Sequence, residues 1–148
     1  MKLAIRIFLL ICLGIQCIPR QLNREISKHE NDAFHALYNT PPALKELLEV
    51  ACYNCHSNHT EYPWYASVQP FAFFISQHIQ DGKSTLNFNE FAMYSDRRKQ
   101  SKLRSMVNQI EENQMPPYPY QLFHQDATFS GKDKMELISW LKALQNEE

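Results

Sequence analysis

The sequence predicts an all-α fold of one domain behind an apolar N-terminal segment. Only 3 glycines occur among 148 residues, which disfavours a turn-rich β-sandwich or barrel. Apolar residues recur three and four positions apart in several separate stretches, which is the period of an α-helix that buries one face. The length suits a single domain, and the net charge of −1 gives no reason to expect a nucleic-acid partner.

Residues 1–19 have the features of a signal anchor or signal peptide. Two basic residues precede an apolar run, the order that marks an export signal. No small-x-small cleavage site follows, and the run is shorter than the roughly 20 residues that span a membrane comfortably. We therefore expect an uncleaved anchor first and a cleaved signal second. Lipidation of Cys17 comes third, because Gln16 stands where a small residue is normal.

Residues 20–40 are polar and mixed in charge, which predicts a linker or a loosely held arm. His29 and His35 have no motif partner there, so we expect both to be solvated. The predicted domain, residues 41–146, opens with a helix that Thr40 can cap and that tolerates proline in its first turn. Its apolar face consists of Leu44, Leu47, Leu48 and Ala51.

The first helix ends in the motif Cys52-Tyr53-Asn54-Cys55-His56. C-x-x-C-H is the sequence mark of covalent c-type haem attachment. Two thiols form thioethers with the two vinyl groups of one porphyrin, and the adjacent imidazole binds the iron. The motif predicts one haem c, with Cys52 and Cys55 as thioether sites and His56 as the proximal ligand. Because bacterial c-type haem is attached outside the cytoplasmic membrane, we expect the domain on the periplasmic side of it, anchored or exported.

Three other hypotheses for the motif stay open. Structural zinc needs four ligands, but the other cysteines, Cys12 and Cys17, lie in the apolar N-terminal segment, and His59 would be only a third ligand. A thioredoxin-like redox pair needs a strand and helix setting that the surrounding sequence lacks. A structural disulfide beside an incidental histidine is the plainest alternative.

The loop after the motif is rich in aromatic residues and proline. A ligating histidine needs an acceptor for its other ring N–H, and we expect a backbone carbonyl of this loop, that of Pro63 or Pro70. Trp64 and Tyr65 are candidate haem contacts, and ordinary packing explains them equally well.

Three further helices are predicted. One runs from Pro70 to about Gln80, with Gly82 after its end as a stop signal. Another runs from Asp96 to about Glu112, and the last follows the cap residue Ser130. We expect these residues to face inward: Phe71, Phe74, Ile75 and Ile79; Leu103, Met106, Val107 and Ile110; Met135, Ile138, Leu141 and Leu144, with Trp140 beside them. The basic run 97–99 suits a solvated face better than a docking site for an acidic partner.

Met115 is the predicted distal ligand. Its thioether is a soft ligand, and His/Met ligation is usual in cytochromes c. The prolines that follow it stiffen the chain. Met93 and Met106 suit the role less well, and His124 is the rival that would make the iron bis-histidine. If Met115 does not bind iron, the open position would suit a haem-based sensor, ligand-binding or peroxidase-like protein instead.

With these residues in view, the chain resembles the bacterial haem-binding domain family of small monohaem c-type cytochromes. The resemblance covers about residues 5–145 and rests on the block 51–65, the pieces 81–83 and 115–117, His124 and the segment 137–140. It implies a cytochrome c-like helical fold, thioethers at Cys52 and Cys55, and His56 and Met115 as iron ligands. It also favours an anchor over lipidation. The function expected is one-electron transfer between redox partner proteins at the membrane, without enzymatic turnover.

Overall fold

The computed structural model describes residues 1–25 and 33–146, and these residues contain eight α-helices and no strand. The predicted all-α class is confirmed. The helices are α1 (Lys2–Ile15), α2 (Ala33–Tyr38), α3 (Pro42–Leu48), α4 (Asn54–His56), α5 (Phe71–Thr85), α6 (Asp96–Glu111), α7 (Tyr118–Phe123) and α8 (Gly131–Leu144). A π-helical stretch, Glu49–Tyr53, joins α3 to α4, and short 3₁₀ turns lie at Trp64–Ser67, Phe91–Met93 and Gln125–Ala127.

The core is built around a group of fully buried aromatic rings. Phe34 meets Phe88 and Phe91 edge-on, with ring centroids 4.9 Å apart in both pairs, a geometry that the ring quadrupoles favour. α6 and α8 pack against each other and close this core. All four residues that were predicted to face inward from α6 are buried, because they repeat at one helical period and share one face.

On α8 the prediction was right for Leu141 and Leu144 and wrong for Met135, which is exposed. Leu137 takes the inward position instead, since residues 137, 141 and 144 form one stripe and 135 lies nearly opposite. Ile138 and Trp140 pack beside the core as expected.

The segment predicted as a linker contributes to the core. α2 buries Phe34 and also His35, which we expected to be solvated. Phe34 and Tyr38 are four residues apart and lie on one face of the helix. This short apolar pattern is hard to recognise in the sequence because most of the neighbouring residues are polar. The prediction for His29 falls outside the described residues. Thr40 does not cap the next helix, which has Pro41 at its N-cap.

α5 is longer than predicted, and the prediction of its inward face was right for Ile79 and wrong for Phe71 and Phe74. It runs through Gly82 to Thr85, so Gly82 is not a stop signal. Its buried residues are Ala72 and Ile79, whereas Phe71 and Phe74 are exposed. Residues 72, 79 and 82 and the C-cap residue 86 lie on one side of α5, and this side packs on the domain.

α1 has no buried residue. Within the described part of the chain, no helix combines the length and the apolar character that crossing a membrane requires.

Candidate functional site

The C-x-x-C-H motif lies on a continuous helical segment, residues 42–56. The buried side chains of Leu44, Leu48 and Tyr53 hold this segment on the core. Cys52 lies within its π-helical stretch, and Cys55 and His56 form most of α4. A π-helical turn of this kind is frequent at functional sites. Tyr53 stacks on Phe88, with ring centroids 4.6 Å apart, so the motif is braced against the aromatic core.

His56 is fixed by two backbone carbonyls. Its Nδ1 lies 3.0 Å from the Gly82 oxygen and 3.1 Å from the Leu86 oxygen. A carbonyl only accepts, so Nδ1 carries the ring proton and Nε2 is left with the lone pair that a metal needs. Burial lowers the pKa of His56 against the opposing effect of these two carbonyls, which favours the neutral ring.

The predicted acceptors of the His56 N–H, the carbonyls of Pro63 and Pro70, were wrong. The true acceptors lie at the far end of α5, 26 and 30 residues beyond the histidine. The sequence did carry a signal for them. The apolar periodicity of α5 continues through Gly82 to Leu86, but the interpretation of Gly82 as a helix stop hid this periodicity.

Gly82 also permits the close packing that this bond requires. A Cβ built at position 82 would lie 2.7 Å from the carbonyl oxygen of Cys55. Its φ is not positive, so glycine is needed here for space and not for an unusual backbone conformation. In addition, the Phe88 N–H donates to the His56 carbonyl at 2.9 Å, which ties the next loop to the motif as well.

A cavity of about 270 Å³ opens beside the motif, and Cys52, His56 and Met115 all line it. Its apolar wall consists of Ala51, Leu86, Phe88, Met106 and Ile110. Its polar wall consists of Thr85, Lys102, Ser105 and Gln109. Three parts of the chain far apart in sequence therefore meet at one apolar cavity: the motif, the end of α5, and α6 with the loop after it.

Met115, the predicted distal ligand, lines the same cavity as His56. Its N–H donates to the Gln109 carbonyl at 3.2 Å, which folds the loop back over the end of α6. The side chain is 39% exposed, so it sits at the mouth of the cavity. Met106 lines the wall from inside α6, and Met93 is exposed outside the cavity.

His124 does not line this cavity. It faces a second one of about 180 Å³ on the other side of the motif, together with Tyr120, Asn54 and His59. His124 Nε2 lies 2.8 Å from the Tyr65 hydroxyl, and its ring stacks on Tyr120 at 4.2 Å. Burial raises the pKa of Tyr120 to about 12, so its hydroxyl stays protonated and donates to the Val50 carbonyl at 3.1 Å.

The two aromatic residues named as haem contacts are placed elsewhere. Trp64 is 81% exposed on its 3₁₀ turn, and Tyr65 bonds to His124. Neither lines the cavity that His56 shares with Met115. The residues that do line it and that the sequence did not suggest are Phe88 on the apolar wall and Lys102 with Gln109 on the polar wall.

The cysteines of the motif are free, half-buried thiols. Burial and then the neighbouring Cys55 raise the pKa of Cys52 to about 12, and burial raises the pKa of Cys55 to about 11. A redox-active pair needs a depressed thiol pKa, so these values oppose the thioredoxin-like hypothesis. No group of three or more Cys, His, Asp or Glu among the described residues could hold a metal ion, which leaves the zinc hypothesis without a ligand set.

The donor set fits a haem. A thioether haem needs two thiols, a neutral imidazole and one further axial ligand, and three of these groups face one cavity while Cys55 lies one turn along the same helix. The cavity volume is just below the range of roughly 300–1,000 Å³ that is usual for ligand sites. A porphyrin bound there would not be fully enclosed, and the ammonium of Lys102 on the cavity lining suits its carboxylates.

The family model described as "Haem-binding domain" matches residues 10–143 of the chain. No curated protein and no solved structure matches it. The matched range includes the motif, the residues that line both cavities, the helices α2 to α7 and all of α8 except its last residue.

Proposed function

This chain belongs to the haem-binding domain family, and on that premise we propose that it is a monohaem c-type cytochrome that carries single electrons at a membrane. One observation carries the proposal: Cys52, His56 and Met115, which are 63 residues apart at the extremes, line one apolar cavity. This is the combination of attachment site and axial ligands that a His/Met cytochrome c requires.

Four residues would hold the haem. Cys52 and Cys55 would supply the thioether sulfurs, and His56 through Nε2 and Met115 through its thioether would bind the iron. When bound, the haem iron supplies reversible one-electron chemistry.

The chain's own residues would restrict the haem to reversible electron transfer. The His56 N–H is already engaged by two carbonyls, so the ring keeps its proton and its orientation when the iron changes charge. Phe88 and Ile110 exclude water from the wall. A soft thioether ligand in such a wall favours the reduced iron and raises the potential above that of a bis-histidine site. No residue is required to turn over a substrate.

Location and partners are part of the same proposal. Residues 1–19 would associate the protein with the periplasmic side of the bacterial cytoplasmic membrane, by anchoring or after export. The partners would be redox proteins that approach the open mouth of the cavity near Met115 and Lys102. Electron transfer needs only such an approach, because the porphyrin edge at the mouth would be exposed.

The test is the optical spectrum of the exported protein, oxidised and reduced, in wild type and in Met115→Ala. We expect a c-type reduced spectrum and a methionine–iron charge-transfer band that the substitution abolishes. Met93→Ala is the matched control, since Met93 is exposed outside the cavity, and it should keep the band. A band that Met106→Ala abolishes instead would move the ligand to α6. Carbon monoxide binding by the wild-type ferrous protein would favour an open-site sensor over an electron carrier.

A further inference from the structure

α1 exposes an apolar surface that no other part of the structure covers. Its fourteen residues contain no buried side chain. The exposed apolar residues are Leu3, Ile5, Ile7, Phe8, Leu9, Leu10, Ile11 and Leu13. Exposed apolar residues that are scattered singly are normal on a protein surface. A contiguous apolar surface of this extent instead marks an interaction site.

A second exposed apolar surface lies at the start of α5. Phe71, Phe73 and Phe74 are 54%, 53% and 56% exposed. Trp64 and Val68 precede them on the chain and are also exposed. We call these five residues the α5 aromatic surface. Three phenylalanines left in solvent within one helical turn are costly unless something covers them.

The two surfaces meet at the same end of the domain. Gln16, the C-cap of α1, bonds to Gln69 two residues before α5: its Oε1 accepts from the Gln69 N–H at 3.0 Å, and its Nε2 donates to the Gln69 carbonyl at 3.2 Å. Arg20 then donates to the Ala66 carbonyl at 3.3 Å and to Ser67 Oγ at 2.6 Å. The end of α1 is thus attached to the segment that presents the aromatic side chains.

The charge pattern of these segments differs from that of the whole chain. Residues 62–80 contain no Asp, Glu, Lys or Arg, although such residues make up 21% of the protein. Residues 1–24 contain four basic residues, Lys2, Arg6, Arg20 and Arg24, and no acidic one. The combined surface is apolar and rich in aromatic rings, and within these two ranges its only charged residues are basic, which complements an anionic lipid surface.

We propose that α1 and the α5 aromatic surface form one membrane-binding surface whose partner is the interface of a bilayer that contains anionic lipids. The proposal rests on the membrane association proposed above and specifies its geometry. Aromatic side chains settle at the headgroup level, and basic residues beside them are attracted to anionic lipids. The domain then lies on the bilayer through the start of α5 and does not hang from a free linker.

This geometry has a consequence for the candidate haem site. The cavity is lined by Thr85 and Leu86, at the opposite end of α5 from Phe71. A helix of 15 residues is about 22 Å long. The mouth of the cavity would therefore stand on the order of 20 Å from the lipid if α5 rises from the surface, open to a soluble redox partner.

The test is hydroxyl-radical footprinting of the full, haem-loaded chain, with and without vesicles of phosphatidylcholine and phosphatidylglycerol. We expect vesicles to reduce the labelling of Phe71, Phe73, Phe74 and Trp64 about threefold or more, together with that of α1. Met93, Tyr118 and Met135 are exposed outside the two surfaces and serve as internal controls whose labelling should not change.

Each other outcome overturns a defined part of the proposal. Protection of α1 alone would refute the shared surface and leave membrane association intact. If vesicles protect neither α1 nor the α5 aromatic surface, both the shared surface and the membrane association are refuted. Protection without vesicles that grows with protein concentration would make a second copy of the chain the occupant. The Soret spectrum of the same sample reports haem loading separately, so a failure of the haem proposal cannot be mistaken for a failure of this one.

A variant pair strengthens the test. Phe71→Ser with Phe74→Ser removes two exposed rings without touching the core, and it should restore the labelling of Trp64 in the presence of vesicles. Met93→Ser with Met135→Ser removes two exposed apolar side chains outside both surfaces and should leave Trp64 protected. Equal behaviour of the two variants would contradict a specific role for the α5 aromatic surface.

Discussion

At the scale of single residues, the site depends on how one imidazole is held. His56 donates from Nδ1 to two carbonyls, so its tautomer and ring plane are set before any iron is bound. Gly82 serves this arrangement twice, since it provides one of these carbonyls and leaves room for the backbone of Cys55. Part of this could be foreseen, because the motif identifies His56, but the acceptors are contributed by a helix that packs from a distance.

Gly82→Ala should therefore weaken both the fold and haem attachment. Alanine is the better helix former by up to about 1 kcal/mol, but its Cβ would meet the Cys55 carbonyl oxygen at 2.7 Å. Such overpacking against backbone costs roughly 1–3 kcal/mol, so we expect net destabilisation and less haem per chain. Urea unfolding and the ratio of Soret to protein absorbance measure the two effects.

Gly131→Ala is the matched control for this prediction. No atom lies within 4 Å of a Cβ at Gly131, so alanine there should leave stability unchanged or slightly raised. Equal unfolding midpoints for the two alanine variants would contradict this prediction, because they would show that α5 accommodates a Cβ at position 82 without a loss of stability.

Lys102 is the cation on the wall of the cavity, and its charge should help to set the reduction potential. A positive charge near the iron disfavours the ferric state, so Lys102→Gln should lower the potential on the order of tens of millivolts, from Coulomb's law at an effective dielectric constant of about 20. Spectroelectrochemical titration measures it. Lys99→Gln removes the same charge from the same helix, but Lys99 pairs with Asp96 and lies off the cavity wall. A shift of similar size in both variants would deny Lys102 a special role.

At the scale of elements, local signals identified the helices well and their faces less well. Ser130 caps α8 through a capping box with Asp133, as its sequence position predicts. The four inward residues of α6 were also identified, since one apolar stripe crosses an otherwise charged helix. α5 was misjudged because it is apolar on several sides, and periodicity alone does not tell which side docks on the domain.

Ser130→Ala should cost about 1 kcal/mol of stability at neutral pH, because it leaves the Asp133 N–H without its 3.1 Å acceptor. The bonds from Ser130 lower the pKa of Asp133. A carboxyl with a depressed pKa stabilises the fold above its unfolded pKa, near 3.8, and loses that contribution as the pH falls through its folded pKa. The difference between the variant and wild type should therefore shrink below about pH 4, as measured by thermal unfolding.

Ser101→Ala provides the comparison, because Ser101 is exposed within α6 and caps nothing. This substitution should change the stability little, both at neutral pH and below about pH 4. A capping contribution that stays constant down to strongly acidic pH would contradict the role given to the Asp133 carboxylate.

At the scale of the whole molecule, the cavity joins segments that are distant in sequence. The motif lies on one side, and the end of α5 and the loop after α6 complete it. A haem held by thioethers and by Met115 would close a loop of about 60 residues that contains both helices, which restricts the unfolded chain. The second cavity, with His124, is lined by other residues of the same helical segment, among them Val50 and Asn54.

Covalent attachment should therefore be visible when the whole molecule unfolds. Wild type in urea should keep its haem and recover the Soret spectrum on dilution. Cys52→Ala with Cys55→Ala should release the haem on unfolding and recover little after a desalting step, because His56 and Met115 alone hold it reversibly. Cys12→Ala with Cys17→Ala is the control and should behave as wild type. Haem that separates from unfolded wild type would refute the thioether bonds.

The sequence by itself determined the all-α class, the bounds of α6, the start of α8, the C-x-x-C-H motif and a candidate methionine that lines the same cavity. These depend on helical period, cap residues and the chemistry of a five-residue motif, all of which act within a few positions of the chain. Only the tertiary structure decided that Gly82 and Leu86 hold His56, that His124 faces a different cavity and that Trp64 lies in solvent. Each of these depends on how α5 docks on α4 and where the loops then run. Such contacts join residues tens of positions apart, and nothing in the spacing of either partner specifies them.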